Sequence, residues 1–263
     1  SLSADLYGMK FFGGIHRGYT PPSSGAINID MILVDYVDNG LDVLPEKSWN
    51  KEIGVKGRFP VLDFEVSGFH VDIENLIAAA RATAFKNLGR VRTMGVESRA
   101  SIYLSTFSSL LPNINVVHTF MDSEVIEGSL SASLGKTDIA GNKLPYVPRN
   151  TLIVGAESAF SDKIALRFDC KYVSKVYTDF ENIESTQNKG IQGIIDPYTI
   201  FNLSANYEIN KNINLFFSGK NILDTVYIGS RLHSNPIKKE PSVSSGILPG
   251  PRRQINVGIE YML

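Results

Sequence analysis

Apolar and polar residues alternate along most of this chain, most clearly in its last stretch. Read in steps of two, Ile255, Val257, Ile259, Tyr261 and Leu263 share one side, and Gln254, Asn256, Gly258, Glu260 and Met262 share the other. A two-residue period with one apolar side is a β-strand laid against an apolar environment. Upstream, Ile53, Val55 and Phe59 alternate with Glu52, Lys56 and Arg58, and Leu62, Phe64 and Val66 alternate with Asp63, Glu65 and Ser67. These two runs predict a hairpin turning at Phe59-Pro60-Val61. Past Gly68 the phase inverts, with Phe69, Val71 and Ile73 set against His70, Asp72 and Glu74, and a glycine at a phase slip predicts a β-bulge. Strands are also predicted at 91–104, 113–123, 148–159 and 164–177. In the last of these Ile164, Leu166, Phe168, Cys170 and Tyr172 oppose Arg167, Asp169 and Lys171. Phe201, Leu203, Ala205 and Tyr207, then Ile213, Leu215 and Phe217, flank the turn Asn210-Lys211-Asn212.

The pattern predicts about ten strands in an antiparallel meander, the first over 4–16 and the last over 253–263. Its connections alternate in length: short near 59–61, 105–112, 160–163 and 209–212, long near 17–45, 76–90, 124–147, 178–196 and 221–252. Short turns on one rim and long loops on the other are the arrangement of an outer-membrane β-barrel. Leu76 to Phe85 has high helix propensity but is short and lies between strand patterns, so it is read as a loop tip. No run of apolar residues is long enough for a membrane helix, and a spanning barrel needs none.

Composition narrows the chemistry. The 263 residues are 43% hydrophobic and 20% charged with a net charge of −1, which gives no electrostatic reason to expect nucleic acid. Cys170 is the single cysteine, read as a small apolar residue, so no intrachain disulfide or cysteine metal cluster arises. His16, His70, His118 and His233 are dispersed at no metal-ligand spacing. No nucleophile elbow, phosphate loop or HExxH pattern is present, so the expectation is a non-enzyme with no cofactor. The start, Ser1-Leu2-Ser3-Ala4-Asp5, has neither an initiator Met nor a signal peptide, and it is expected to belong to a longer chain.

Several stretches resemble the barrel of TonB-dependent outer-membrane receptors. They are His16-Arg17-Gly18-Tyr19-Thr20-Pro21-Pro22, Leu44-Pro45-Glu46-Lys47-Ser48 with Glu52-Ile53-Gly54-Val55-Lys56-Gly57, Asn87-Leu88-Gly89 with Gly95-Val96-Glu97, and Leu144-Pro145-Tyr146-Val147-Pro148. The most specific is Lys220-Asn221-Ile222-Leu223-Asp224-Thr225-Val226-Tyr227, then Pro249-Gly250-Pro251-Arg252-Arg253, then the terminal strand. That strand is similar to the signal read by barrel-assembly machinery, with Leu263 in place of the usual terminal aromatic.

The resemblance implies an all-β, transmembrane, antiparallel up-and-down barrel. Residues 1–263 would be the C-terminal part of a 22-stranded barrel, with the plug domain not present. Leu166, Phe168, Leu203, Phe217 and Val257 would meet lipid, and Arg167, Asp169, Lys171, Asn202, Asn206, Asn214 and Glu260 would face a polar lumen. Trp49 would sit in an interfacial aromatic belt. The implied function is import of a ferric chelate, a siderophore or ferric citrate, powered by TonB through the absent plug, in the bacterial outer membrane. Outer-membrane lipid and lipopolysaccharide would be further partners. Arg17, Arg81, Lys86, Arg90, Arg231 and His233 are the candidate ligand contacts, cationic or polar loop residues suited to an anionic chelate, although solvated loop charge explains each as well. Alternatives are a plug-less porin and a ten-stranded outer-membrane barrel enzyme.

Overall fold

The computed structural model describes residues 2–22, 43–79, 85–132, 135–187, 190–231 and 246–262. Among these, strands dominate and no α-helix occurs. β1 (Leu2–Leu6), β2 (Met9–Thr20), β3 (Glu46–Phe59), β4 (Leu62–Ala79), β5 (Phe85–Ile102) and β6 (Asn113–Ala132) follow one another as antiparallel neighbours. β7 (Gly135–Asp138) folds back on β6, and β8 (Asn150–Ser161), β9 (Ile164–Val173), β10 (Tyr198–Asn210), β11 (Ile213–Lys220) and β14 (Gln254–Tyr261) complete the sheet. A separate small hairpin, β12 (Ile228–Arg231) with β13 (Ile247–Pro249), lies in the last long connection. The meander is as expected, and the sheet is not closed: β1 and β14 are its edges.

Burial is inverted relative to a water-soluble sandwich. On one face, Ile53 is 73% and Val257 75% exposed, while Ser67 and Ser101 on the other face are buried. The apolar face is continuous across strands: Leu166, Ala205, Phe217 and Val257 are successive partners, and so are Phe168 and Leu203. Cys170 shares that face between Val154 and Phe201. Arg167, Ser204, Ser218 and Asn256 pair on the opposite side, as do Asp169 with Asn202 and Asn214 with Glu260. This is the lipid-out, polar-in division of a spanning barrel wall.

Several strand limits differ from those expected. The stretch read as one strand over 4–16 is a hairpin, β1 and β2, because Tyr7 and Gly8 adopt φ of 51° and 78° and turn the chain. Leu76–Ala79 continue β4 instead of forming a loop tip, since Ala78 and Ala79 pair with Lys86 and Phe85. Likewise β6 runs on to Ala132. The β-bulge expected at Gly68 is absent: Gly68 pairs in unbroken register with Ile53 and Val96. The irregularity lies later, between Ile73 and Leu76, where Asn75 has φ 58°. Because the register does not slip at Gly68, polarity exchanges sides there. Phe69, Val71 and Ile73 turn inward, and His70, Asp72 and Glu74 turn outward.

The inward apolar residues explain where the core sits. Val91 and Val125 are cross-strand partners with no exposed surface, and with Leu88 and Ile139 they form a buried cluster covered by Leu76, Leu130, Leu144 and Phe180. This cluster lies at the long-loop end of the wall. Gly89, with φ 138°, brings β5 against Glu127 and Gly128 more closely than any Cβ allows.

Candidate functional site

The inward face of the sheet is a polar wall held by side-chain hydrogen bonds. Alternation places Lys10, Lys56, Glu65 and Arg99 in one row across β2 to β5. One step toward the short-turn rim, Arg58 pairs with Asp63 at 3.4 Å, and Tyr103 donates its hydroxyl proton to the same carboxylate at 3.1 Å. These residues line a hollow of about 500 Å³. The second Asp63 oxygen is buried without a partner. Further along the wall, Ser101 donates to Asn115 at 2.8 Å, Thr93 and Ser123 share a hydroxyl bond of 2.9 Å, and Arg167 grips Asp169. Such a surface, mixed in charge sign and rich in donors and acceptors, can hold polar protein or solute by hydrogen bonding. Among the described residues no three His, Cys, Asp or Glu side chains are grouped to hold a metal ion.

The long-loop rim is laced together instead of splayed. Asn182, with φ 55°, accepts from the Lys143 backbone N–H at 2.6 Å and donates to the Lys143 carbonyl at 2.9 Å, while Asn142 donates to the Phe180 carbonyl at 2.8 Å. These bonds join the connection after β7 to the one after β9. The second joint is Arg231, which is 2% exposed. Its guanidinium donates to the carbonyls of Gly190 (2.7 Å) and Ile194 (2.8 Å) and to the Thr186 hydroxyl (3.2 Å). The Tyr146 hydroxyl donates to the Arg231 carbonyl and accepts from its N–H, at 2.9 and 3.1 Å. At the surface Lys175 and Glu184 pair at 3.0 Å, and that hydrogen bond holds the Glu184 carboxyl below and the Lys175 ammonium above their ordinary values.

The residues singled out as ligand contacts do not converge. Arg17 lies on the outer face, its guanidinium 5.5 Å from the centre of the Trp49 ring. Arg90 also reaches outward, to Asp72 at 3.2 Å. Arg231 is a buried tie between loops with its donors taken up, so it is removed from the contact set. Lys86 lies in β5, with its side chain outside the described residues. Arg81 and His233 fall outside the described residues altogether. Trp49 is on the outer face, two outward steps above Ile53 in β3. Sequence reading missed the asparagine ties at 142 and 182, and an asparagine in a long connection is their one visible signal.

Comparison with known proteins decides among barrels. The family described as "TonB dependent receptor-like, beta-barrel" matches residues 4–222. The chain belongs to the TonB-dependent receptor β-barrel family. Members of this family are outer-membrane β-barrel proteins of Gram-negative bacteria. A relative in Acinetobacter baumannii, described as "Probable TonB-dependent siderophore receptor PiuA", is 25% identical over 220 residues, which are 81% of this chain and 26% of that protein. Among solved structures, the A. baumannii siderophore receptor PiuA superposes with a TM-score of 0.71 at 18% identity, covering 97% of this chain and 34% of that one. The ferric citrate transporter FecA, unliganded, gives 0.73 at 20% identity, covering 98% and 36%. The copper transporter OprC gives 0.71 at 14% identity, covering 98% and 38%. The chain therefore spans about a third of the length of these structures, and their likeness shows the fold.

In this receptor barrel the stretches that resemble the family most have a structural role. Asn221, with φ 48°, donates to the carbonyls of Thr225 and Pro251 and accepts from the Thr225 N–H. Asp224, with φ 55°, receives both Nε and Nη2 of Arg252 and the Arg253 backbone N–H. The Arg252 hydrogen bond, then that from Arg253, holds the Asp224 carboxyl well below the usual carboxylate range. Gly250 lies flat under the Tyr227 ring, where any Cβ would collide with it. Together these contacts fasten the start and end of the last long connection above β11 and β14.

Proposed function

We propose that this chain is the C-terminal part, residues 1–263, of the barrel of an outer-membrane active-transport receptor that binds and imports a ferric chelate, a siderophore or ferric citrate. The observation that carries the reading is the family match over residues 4–222, across a wall whose outer face is apolar and whose inner face is polar. The siderophore receptor and ferric citrate transporter among its relatives support iron-chelate cargo. The polar inner row of Lys10, Lys56, Glu65 and Arg99 then faces a plug domain, through which TonB supplies energy, and β14 presents the strand read by the barrel-assembly machinery. Lys86, Arg81 and His233 are the remaining candidate contacts for the chelate.

The test is growth of a receptor-deleted strain carrying the full-length gene, supplied with single ferric chelates. One chelate restores growth, and deletion of TonB abolishes that rescue. Growth unchanged by any iron source removes the iron reading, and uptake that persists without TonB indicates a passive porin.

A further inference from the structure

Three long connections of the rim are bonded to one another in a closed triangle. The first, residues 139–149, meets the connection after β9 through Asn142 and Asn182, and again where the Tyr146 backbone N–H donates to the Tyr177 carbonyl at 2.8 Å. It meets the β12–β13 hairpin through the Tyr146 hydroxyl on the Arg231 backbone. The connection after β9 meets that hairpin at the Arg231 guanidinium. There Gly190, with φ 87°, lies so close under Ile247 that a Cβ would stand 2.8 Å from its side chain. No member of the triangle can swing alone, because each is held by the other two.

Each member is also fastened to the wall. In the first connection the Gly141 N–H donates to the Val125 carbonyl and the Val125 N–H to the Asn142 carbonyl, both at 2.8 Å, while Ile139 is sunk among Leu88, Val91 and Val125. Phe180, from the connection after β9, packs on the same cluster. Farther along, Thr178 is 2% exposed and donates to the Gly193 carbonyl at 2.8 Å, which folds that connection onto itself. The last connection is seated on β10, where the Asn221 and Ile222 N–H groups donate to the Asn202 side chain at 3.0 Å and the Phe201 carbonyl at 2.9 Å. Breaking a buried bond leaves its partner desolvated and unpaired, so joints that share buried groups are lost together. Elements joined in this way open as one cooperative unit.

We propose that residues 139–149, 174–187 and 190–197 and the β12–β13 hairpin are one rigid body, docked on β5, β6 and β10, that stays in place throughout import. The extracellular mouth then has one immovable side, and any change in its width comes from the rest of the barrel. The stillness of this body during import rests on the receptor reading above; its unity does not.

The experiment uses the full-length receptor that carries this segment. Unity is read by hydrogen exchange in lipid vesicles at three N–H groups: Tyr146 on the Tyr177 carbonyl, Ile195 on the Val176 carbonyl, and Arg231 on the Tyr146 hydroxyl. Their protection factors should agree within about ten-fold, as one opening event requires, and a wider spread overturns the single body. Stillness is read in cells of the receptor-deleted strain. Glu124→Cys and Lys143→Cys sit at partner positions of an antiparallel bridge between β6 and the first connection, and a short bis-methanethiosulfonate joins them. Uptake of radioactive iron, supplied as the chelate that restores growth in the test above, should stay within about two-fold of the same variant capped by a monofunctional reagent. A larger fall that reduction reverses overturns the proposal. If the cysteine pair blocks folding, exchange is compared in the unsubstituted receptor before and after that chelate is added, and a changed opening at any of the three groups overturns it. Should no chelate restore growth, the import reading fails, while the exchange pattern still decides whether the three connections are one body.

Discussion

Truncation of Arg231 should release the extracellular rim without unfolding the wall. Its guanidinium is buried and donates to Gly190, Ile194 and Thr186, none of them charged. Arg231→Ala leaves the carbonyls of Gly190 and Ile194 without these donors. Each bond from a charged donor contributes about 1.5–3 kcal/mol, and losses within one cluster do not add. The partners left behind are neutral, so the cost in all is that of two orphaned carbonyls, at about 1–3 kcal/mol each and not fully additive, or about 3–4 kcal/mol. At about 1.4 kcal/mol per decade, local opening of the connection between β9 and β10 becomes more frequent by roughly two to three orders of magnitude. Hydrogen exchange in the full-length receptor reads this directly. The N–H of Ile195, bonded to the Val176 carbonyl at 2.9 Å, should exchange faster by that factor, while amides in the middle of β8 keep their rate. Arg231→Lys keeps the charge but cannot reproduce the planar fork, so it falls between the two. Exchange at Ile195 within about three-fold of wild type in Arg231→Ala would show that the other ties hold the rim and that the buried guanidinium contributes little.

Val66 pairs with Val55 and Ser98 on the outer face, two residues below the polarity exchange at Gly68. Val66→Arg should therefore cost about 1–2 kcal/mol, between the interfacial and midplane penalties, in urea titrations of receptor refolded into lipid vesicles, and an unchanged midpoint would place that face away from lipid. Ile139→Ala, in the buried cluster with Val91 and Val125, should cost about 2–5 kcal/mol locally. The loss should appear as faster exchange at the long-loop ends of β5 and β6, with native rates near their short turns. Asp224 has a folded-state pKa below its unfolded value, so its contribution is full above the ordinary carboxylate range and is lost as pH falls through the depressed value. Protease protection of the 221–253 connection should hold from neutral pH down to about pH 4 and decline below it. Asp224→Asn should lower protection at neutral pH and flatten that decline, and coincident profiles would refute the role.

How much of this was legible in the sequence depends on which interactions are periodic. The two faces of β9, β10, β11 and β14 could be read residue by residue, because a strand exposed to lipid on one side repeats its polarity every second position. The β1 to β2 turn could not, since Tyr7 at φ 51° carries no turn signal and only Gly8 hints at it. The rim ties were illegible for another reason. Asn182 meets Lys143, and Arg231 meets Gly190, through side-chain bonds to distant backbone, and no local pattern encodes such a partner. A cation in a long connection reads as solvated or as a ligand contact, and nothing next to Arg231 in sequence marks it as a tie between loops. The side taken by Arg17 is legible, since in step with Ile15 and Phe11 it belongs to the outer face by the alternation of β2 itself.

Strand length and membrane thickness together explain the inversion at Gly68. β4 has 18 residues, which span roughly 60 Å along the strand and roughly 45 Å along the barrel axis at a tilt of ~40°. The apolar band of an outer-membrane barrel is about 25 Å tall, so close to half of β4 must stand clear of the membrane. There the outer face meets water and headgroups, which selects His70, Asp72 and Glu74. The inner face no longer borders only the polar lumen and packs as a small core through Val91, Val125 and Ile139. A bulge at Gly68 would have kept Phe69, Val71 and Ile73 outward and exposed them to water. Unbroken register turns them inward, where neighbouring strands and connections cover them. It follows that the upper inner wall along β4 to β6 is mainly apolar, and that the connections packed above it are held in place by the rim ties at Asn182 and Arg231.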